Sequence, residues 1–147
     1  MEPERQLDDA DVEILRALQD NARVSFAELG RKVGLSGPAI TDRIRKMEET
    51  GIIRGYHADV NPAMLGYPVV ARVGLRVARE HFHSVITMAR DSQDVQSCHH
   101  TSGAEDFLLE IIAASAEALD RTIDRFRPFG EVRASVIIST PVEKYSI

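Results

Sequence analysis

One start signal recurs three times within the first forty residues: an apolar residue, a side chain able to cap a helix, and a second apolar residue four positions after the cap. Leu7-Asp8…Val12, Val24-Ser25…Leu29 and Leu35-Ser36…Ile40 all carry it. The cap oxygen accepts hydrogen bonds from free amides of the first turn, and the flanking apolar pair clamps the angle at which the chain enters. Asp8 with Asp11 and Ser25 with Glu28 add an acid at the third helical position, facing those amides and the positive end of the helix dipole. The pattern predicts helices beginning near residues 8, 25 and 36. Val12, Leu15 and Leu18, then Leu29 and Val33, then Ile40, Ile44 and Met47 give each helix one apolar stripe, so the three should close into a trihelical core.

The second and third helices are separated by very little chain. Gly34 ends one, Leu35 and Ser36 form the turn, and Pro38 stands in the first turn of the next, where its missing amide costs little. This is helix-turn-helix spacing. Projected at about 100° per residue, the third helix gathers Ile40, Ile44 and Met47 on one side. Pro38, Ala39, Asp42, Arg45 and Lys46 fall opposite, with Arg43 on the flank. A face that is small at its start and basic further along suits a DNA major groove: short side chains let the backbone approach, and long cations reach bases or phosphates. Asp42 would accept from a cytosine amine or orient a neighbouring arginine. The plain alternative is an ordinary solvated helix face.

The charge distribution is compatible with DNA although the chain is net −5. Residues 1–22 are net −5, residues 23–57 net +3 and residues 58–147 net −3. A polyanion responds to the face it touches, not to the total. After Gly51, Ile52 and Ile53 are placed to seal the trihelical core, Arg54 adds a cation beside it, and Asn61-Pro62, Gly66 and Pro68 punctuate the chain. The expected organisation is a DNA-binding domain over 1–57, a hinge over 58–66 and a second domain over 67–147.

In that second part the periodicity changes to two. Val69, Ala71, Val73, Leu75 and Val77 alternate with Arg72, Gly74 and Arg76. HFHSVITMARDSQ returns to helical spacing, VQSCHH and FLLEIIAAS read as strands, AEALDRTIDRFRPFG as an amphipathic helix and VRASVIIST as a last strand. The FLLEIIAAS run is apolar on both faces, as in a central strand. The order is βαββαβ, the split ferredoxin-like arrangement, and the fold class is α+β. Two helices cover one face of such a sheet. Leu108, Ile112 and Ile137 then compete for the other face, which is expected to meet a second copy of the chain.

Other chemistries are restricted by composition. No apolar run approaches the roughly 18 residues of a membrane span, and the amino terminus MEPERQLDDAD is acidic where a signal peptide is positive. A single cysteine rules out an internal disulfide and a multi-thiolate zinc site, so a cytoplasmic protein is expected. The stretch SCHHTSGAED concentrates Cys98, His99, His100, Glu105 and Asp106. On a strand, Cys98 and His100 point to one side and His99 to the other, so no tetrahedral metal set forms unless His81 and His83 approach. Adjacent strand residues also diverge too far for a cysteine–histidine nucleophile or a paired-acid site, and no enzymatic activity or cofactor is expected.

The segment LGRKVGLSGPAITDRIRKMEETGIIRGYHADVNPAMLG, followed by a βαββαβ half, resembles the leucine-responsive regulator/AsnC family of transcription factors, also called feast/famine regulators. The resemblance spans Leu7 to Val142 and is densest from Ser36 to Tyr56, where Ser36, Arg43, Arg45, Lys46, Glu48, Gly51, Ile53, Gly55 and Tyr56 match the pattern. It implies an amino-terminal winged helix-turn-helix on double-stranded DNA. It also implies a carboxy-terminal domain that binds an amino acid or related effector between dimers, within a homodimer assembling to an octamer. Ser36, Pro38, Ala39, Asp42, Arg43, Arg45, Lys46 and Arg54 would face DNA. Thr101, Ser102, Gly103, Ala104, Glu105, Asp106 and Ser135 would face the effector. A glycine exposes backbone amides to a carboxylate and a nearby acid holds an ammonium group, which suits a zwitterion. After the glycine the family commonly has an acid. This chain has Ala104, so either Glu105 substitutes or one charged contact is absent. A competing reading is a metabolite-binding module that acts through protein contacts, its acidic first helix serving as a docking surface.

Overall fold

The computed structural model describes residues 7–144. The first six residues, part of the acidic stretch weighed against a signal peptide, lie outside the described residues. Two compact units are present, one on residues up to Asp59 and the other spanning Val60–Pro141.

The first unit is helical. α1 (Asp9–Asp20), α2 (Phe26–Val33) and α3 (Gly37–Glu49) follow N-caps Asp8, Ser25 and Ser36, where the cap signals placed them. Both expected capping boxes are made: Asp11 N–H donates to Asp8 and Glu28 N–H to Ser25, and each acid accepts from the cap amide in return. The core consists of Ile14, Ala17, Leu18, Leu29, Ile40, Ile44 and Met47, with Leu7, Leu15, Val24, Val33, Leu35 and Ile53 packed around it. The stripe expected on α1 is corrected here. Ile14 is fully buried, and Val12 and Leu15 only half-buried, because α1 turns a face carrying Asp11 toward α3. Gly34 (φ 72°) and Gly51 (φ 74°) adopt the left-handed conformation that ends α2 and α3 without strain. Beyond Gly51 the Ile53 amide donates to Met47 O, which returns Ile53 to the core. The wing implied by the family resemblance is absent among the described residues: 51–61 contains no strand, and this unit offers no second strand to pair with it.

The second unit runs η1 (Pro62–Leu65), β1 (Val69–Val77), α4 (Phe82–Asp91), β2 (Val95–His100), β3 (Phe107–Ala113), α5 (Ala116–Asp124) and β4 (Gly130–Val136). This is the expected βαββαβ order, folded as an antiparallel sheet of order β2-β3-β1-β4. Ala71, Val73, Leu75 and Val77 from β1 and Phe107, Leu109, Ile111 and Ala113 from β3 are buried with Val85, Ala89, Leu119, Ile123 and Phe126 of the helical layer. β3 is central, yet its burial alternates. Its second face, with Leu108, Glu110 and Ile112, is only half-buried in the single chain because no intrachain helix lies on it. Register places Arg72, Gly74 and Arg76 of β1 beside Ser135, Arg133 and Glu131 of β4 on that uncovered face.

A helix-turn-helix face and an effector loop

The turn between α2 and α3 depends on a close backbone approach. Leu35 N–H donates to Gly30 O at 2.9 Å, and a Cβ on Gly30 would stand 2.5 Å from Leu35 O. Only glycine fits there, which fixes how α3 leaves α2. The trace of this approach in the sequence is a glycine inside a short helix, which costs stability and so signals a packing need.

On α3 the expected contact residues separate into two sets. Pro38, Arg45, Lys46 and Ser36 are exposed, Ala39 and Asp42 partly so, and Arg54 is exposed beyond the helix end. Asp42 accepts from Arg45 Nη2 at 2.7 Å and pairs with Lys46 Nζ at 2.7 Å, so of the two roles foreseen for it the orienting one is filled. Lys46 and then Arg45 hold its carboxyl below the ordinary carboxylate range. Arg45 also approaches Glu49, at 3.9 Å. Arg43 departs from expectation. Its Nη1 lies 2.7 Å from Asp8 and 2.8 Å from Asp11, and Asp11 is 1% exposed. The guanidinium is therefore turned back onto α1, tying the third helix to the first, and does not stand free on a DNA-facing surface. Asp11 and then Asp8 raise the Arg43 pKa. Tyr56 O–H donates to Glu48 at 2.8 Å, and burial, helped by that acid, pushes its pKa up to about 12.

In the second unit the 101–106 loop joins β2 to β3 at one end of the sheet and divides between two sides. Thr101, Ser102, Gly103 and Asp106 line an open concavity of about 860 Å³ together with Arg79, Phe82 and His100. Ala104 and Glu105 lie instead with Gly74, Arg76, Glu131 and Arg133 around a recess of about 40 Å³ on the uncovered sheet face. Both loop ends are tied. Thr101 N–H donates to Asp106 O, the Thr101 hydroxyl donates to Glu105 O, and Asp106 N–H donates to Leu75 O. Asp106 Oδ2 accepts from Val77 N–H at 2.9 Å, and Arg76 Nε donates to Ala104 O at 3.2 Å.

Two expected effector residues are thereby relocated. Glu105 does not take the place of the acid missing at Ala104, because its side chain packs over Gly74, where an added Cβ would meet Glu105 Cγ at 2.6 Å. Ser135 does not line the concavity either. Its register opposite Arg72 sets it on the edge strand β4, on the uncovered face. Arg79, Phe82 and His100 do line it, although the sequence pattern marks none of them for an effector and His100 enters it only as a metal candidate. Arg79 and Phe82 reach it because the chain from β1 into α4 crosses the same sheet end as the loop, and His100 because it ends β2 at the start of the loop.

Cys98 is half-buried on the helix-covered side of β2, and burial pushes its thiol pKa up, the opposite of what a nucleophile needs. Among the described residues no three histidine, cysteine or acidic side chains converge as a metal site, and no helix is long and apolar enough to cross a membrane.

Comparison with known proteins places both units. Residues 7–48 match the AsnC-type helix-turn-helix domain, and residues 69–147 match the Lrp/AsnC ligand binding domain. The HTH-type transcriptional regulator LrpC of Bacillus subtilis is 33% identical over 133 residues, covering 90% of this chain and 92% of LrpC. Its solved structure superposes with a TM-score of 0.89, covering 95% of this chain and 99% of that one at 32% identity. The leucine-responsive regulatory protein of Rhizobium meliloti is 40% identical over 74% of this chain and 71% of its own. A feast or famine regulatory protein from M. tuberculosis, solved in complex with L-methionine, has a TM-score of 0.87 at 29% identity, covering 94% of this chain and 96% of that one. These relatives are named as regulators, not enzymes. The chain belongs to the Lrp/AsnC family of helix-turn-helix transcriptional regulators.

Proposed function

We propose that the chain is a sequence-specific DNA-binding regulator that inserts α3 into a major groove and responds to an amino acid or related metabolite held by the 101–106 loop. The observation that carries the first half is the division of α3. Ile40, Ile44 and Met47 are buried, while Pro38 and Ala39 open the opposite face and Arg45 and Lys46 extend it. Ser36 supplies the helix cap, Arg54 a flanking cation, and Asp42 holds the two basic side chains until phosphate replaces it. The DNA-binding part is 1–57, the hinge 58–66 and the effector part 67–147.

For the effector, the amides of Ser102 and Gly103 take the carboxylate and Asp106 takes the ammonium group through the oxygen that does not bond Val77. The ligand lies at a contact between dimers. The uncovered sheet face bearing Leu108 and Ile112 recruits the twofold partner, and dimers assemble further to an octamer. A twofold pair of α3 helices calls for a roughly palindromic operator, with half-sites about one helical turn apart or a multiple of it. An effector shifts association or head spacing only as far as it binds one assembly better than another.

Footprinting on the protein's own promoter at low salt tests the DNA half, and an absence of protected sites would refute it. Thermal-shift screening against the amino acids tests the effector half with Asp106→Asn as control. Asparagine can still accept from Val77 N–H but cannot pair with an ammonium ion. A hit that survives this variant unchanged would remove Asp106 from the site.

A further inference from the structure

The concavity under the 101–106 loop contains more charge than a neutral amino acid uses. The proposed reading assigns the loop amides to the ligand carboxylate and Asp106 to its ammonium group. Arg79 then remains. Its side chain is exposed, lines the same concavity, and forms no ion pair or hydrogen bond among the described residues. Asp106 does not neutralise it, since no ion pair within 4 Å joins them. Of the polar groups nearby, one Asp106 oxygen accepts from Val77 N–H and the Thr101 hydroxyl donates to Glu105 O. Phe82 and His100 line the same concavity. Their rings meet edge-on at 5.2 Å, and both rest on the buried Phe107, at 4.9 and 5.3 Å. These ring contacts hold the wall in place, so the imidazole is presented to the concavity by packing. A planar guanidinium and a packed imidazole lining one concavity both offer donors to a second carboxylate, whose two oxygens a guanidinium binds in bidentate fashion.

We infer that the effector is a dicarboxylic amino acid, of the aspartate or glutamate class, and that Arg79 with His100 reads its side-chain carboxylate. The inference rests on the effector reading above. An aliphatic or aromatic side chain would leave Arg79 uncompensated, and an amide would replace one charge-assisted bond with a neutral one. Volume does not oppose the assignment, because about 860 Å³ of open space exceeds any single amino acid.

The test is calorimetric titration of the full-length protein with L-aspartate, L-glutamate, L-asparagine, L-glutamine, L-methionine, L-leucine and L-phenylalanine. Wild type is compared with Arg79→Gln, Arg79→Lys and Asp106→Asn. The expected result is that one acid binds at least tenfold more tightly than its amide. Arg79→Gln should abolish that preference while leaving the weak amide binding unchanged, Arg79→Lys should restore part of it, and Asp106→Asn should weaken acid and amide alike. The Arg79 side chain is exposed and bonds no neighbour, so Arg79→Gln should unfold at the wild-type temperature, and a change in binding would not be a folding defect. Asp106-dependent binding of neutral amino acids with no acid preference would overturn this inference and leave the effector reading standing. Binding to no amino acid would overturn both.

Discussion

Replacing Arg43 with alanine separates two roles an arginine on a recognition helix can play. If it contacts phosphate, its loss weakens DNA binding and reduces the salt dependence. If it ties α3 to α1, its loss weakens the fold. The geometry supports the second, since one guanidinium nitrogen lies 2.7 Å from Asp8 and 2.8 Å from Asp11, with the arginine side chain 25% exposed and Asp11 1% exposed. An exposed ion pair contributes about 0.2–1 kcal/mol, and breaking a buried one costs about 3–5 kcal/mol. With one carboxylate buried and the other half-exposed, the expected loss is about 2 kcal/mol. For a helical unit of this size that lowers the thermal midpoint by about 8–16 °C. Far-UV circular dichroism on heating gives the midpoint. Titrations of DNA at several salt concentrations give the slope of log affinity against log salt. Arg43→Ala should lower the midpoint and, below it, leave the slope unchanged, whereas Arg45→Ala and Lys46→Ala should each flatten the slope by about 0.9 per lost phosphate contact. A stable Arg43→Ala variant with a flattened slope would refute the reasoning and return Arg43 to the DNA face.

Gly30→Ala should cost about 1–3 kcal/mol and weaken DNA binding, because its Cβ at 2.5 Å from Leu35 O forces the turn before α3 to shift. Wild-type stability and affinity would show that the turn has slack. The Cys98 thiol, pushed above its ordinary pKa of 9.0 by burial, should react with a disulfide reagent more slowly at pH 8 than a free cysteine, and catch up only at higher pH. Fast labelling at neutral pH would contradict that burial. Ser25 hydroxyl and amide hydrogen bonds hold the Glu28 carboxyl below its ordinary 4.5. Its stabilisation is thus present above about pH 4.5 and lost as pH falls through the folded value, so wild type and Glu28→Gln should converge in stability on acidification. A difference that stays constant to pH 2 would show the capping box contributes nothing through its charge.

Local rules made most of the fold readable. Asp8, Ser25 and Ser36 cap helices because cap chemistry acts within four residues, and the period-two pattern of Val69–Val77 marked both the strand and its buried face. What escaped was set by partners distant in sequence. The projection leaves Arg43 on the flank and the family resemblance turns it to DNA, because neither shows Asp8 and Asp11, which lie more than thirty residues away. The stripe on α1 was rotated for the same reason. Family position puts Glu105 and Ser135 at the effector, whereas the register of β1 against β4 and the bare backbone of Gly74 send both to the uncovered sheet face. Arg79 and Phe82 have no motif of their own and meet the loop only once the sheet is assembled, and His100, next to the loop in sequence, stands out there only as a metal candidate.

The seat of Glu105 over Gly74 binds the history of two positions together. Any side chain at residue 74 evicts the glutamate, so among relatives a non-glycine residue there should be accompanied by a small one at residue 105, and the double exchange should be tolerated where the single exchange at 74 is not.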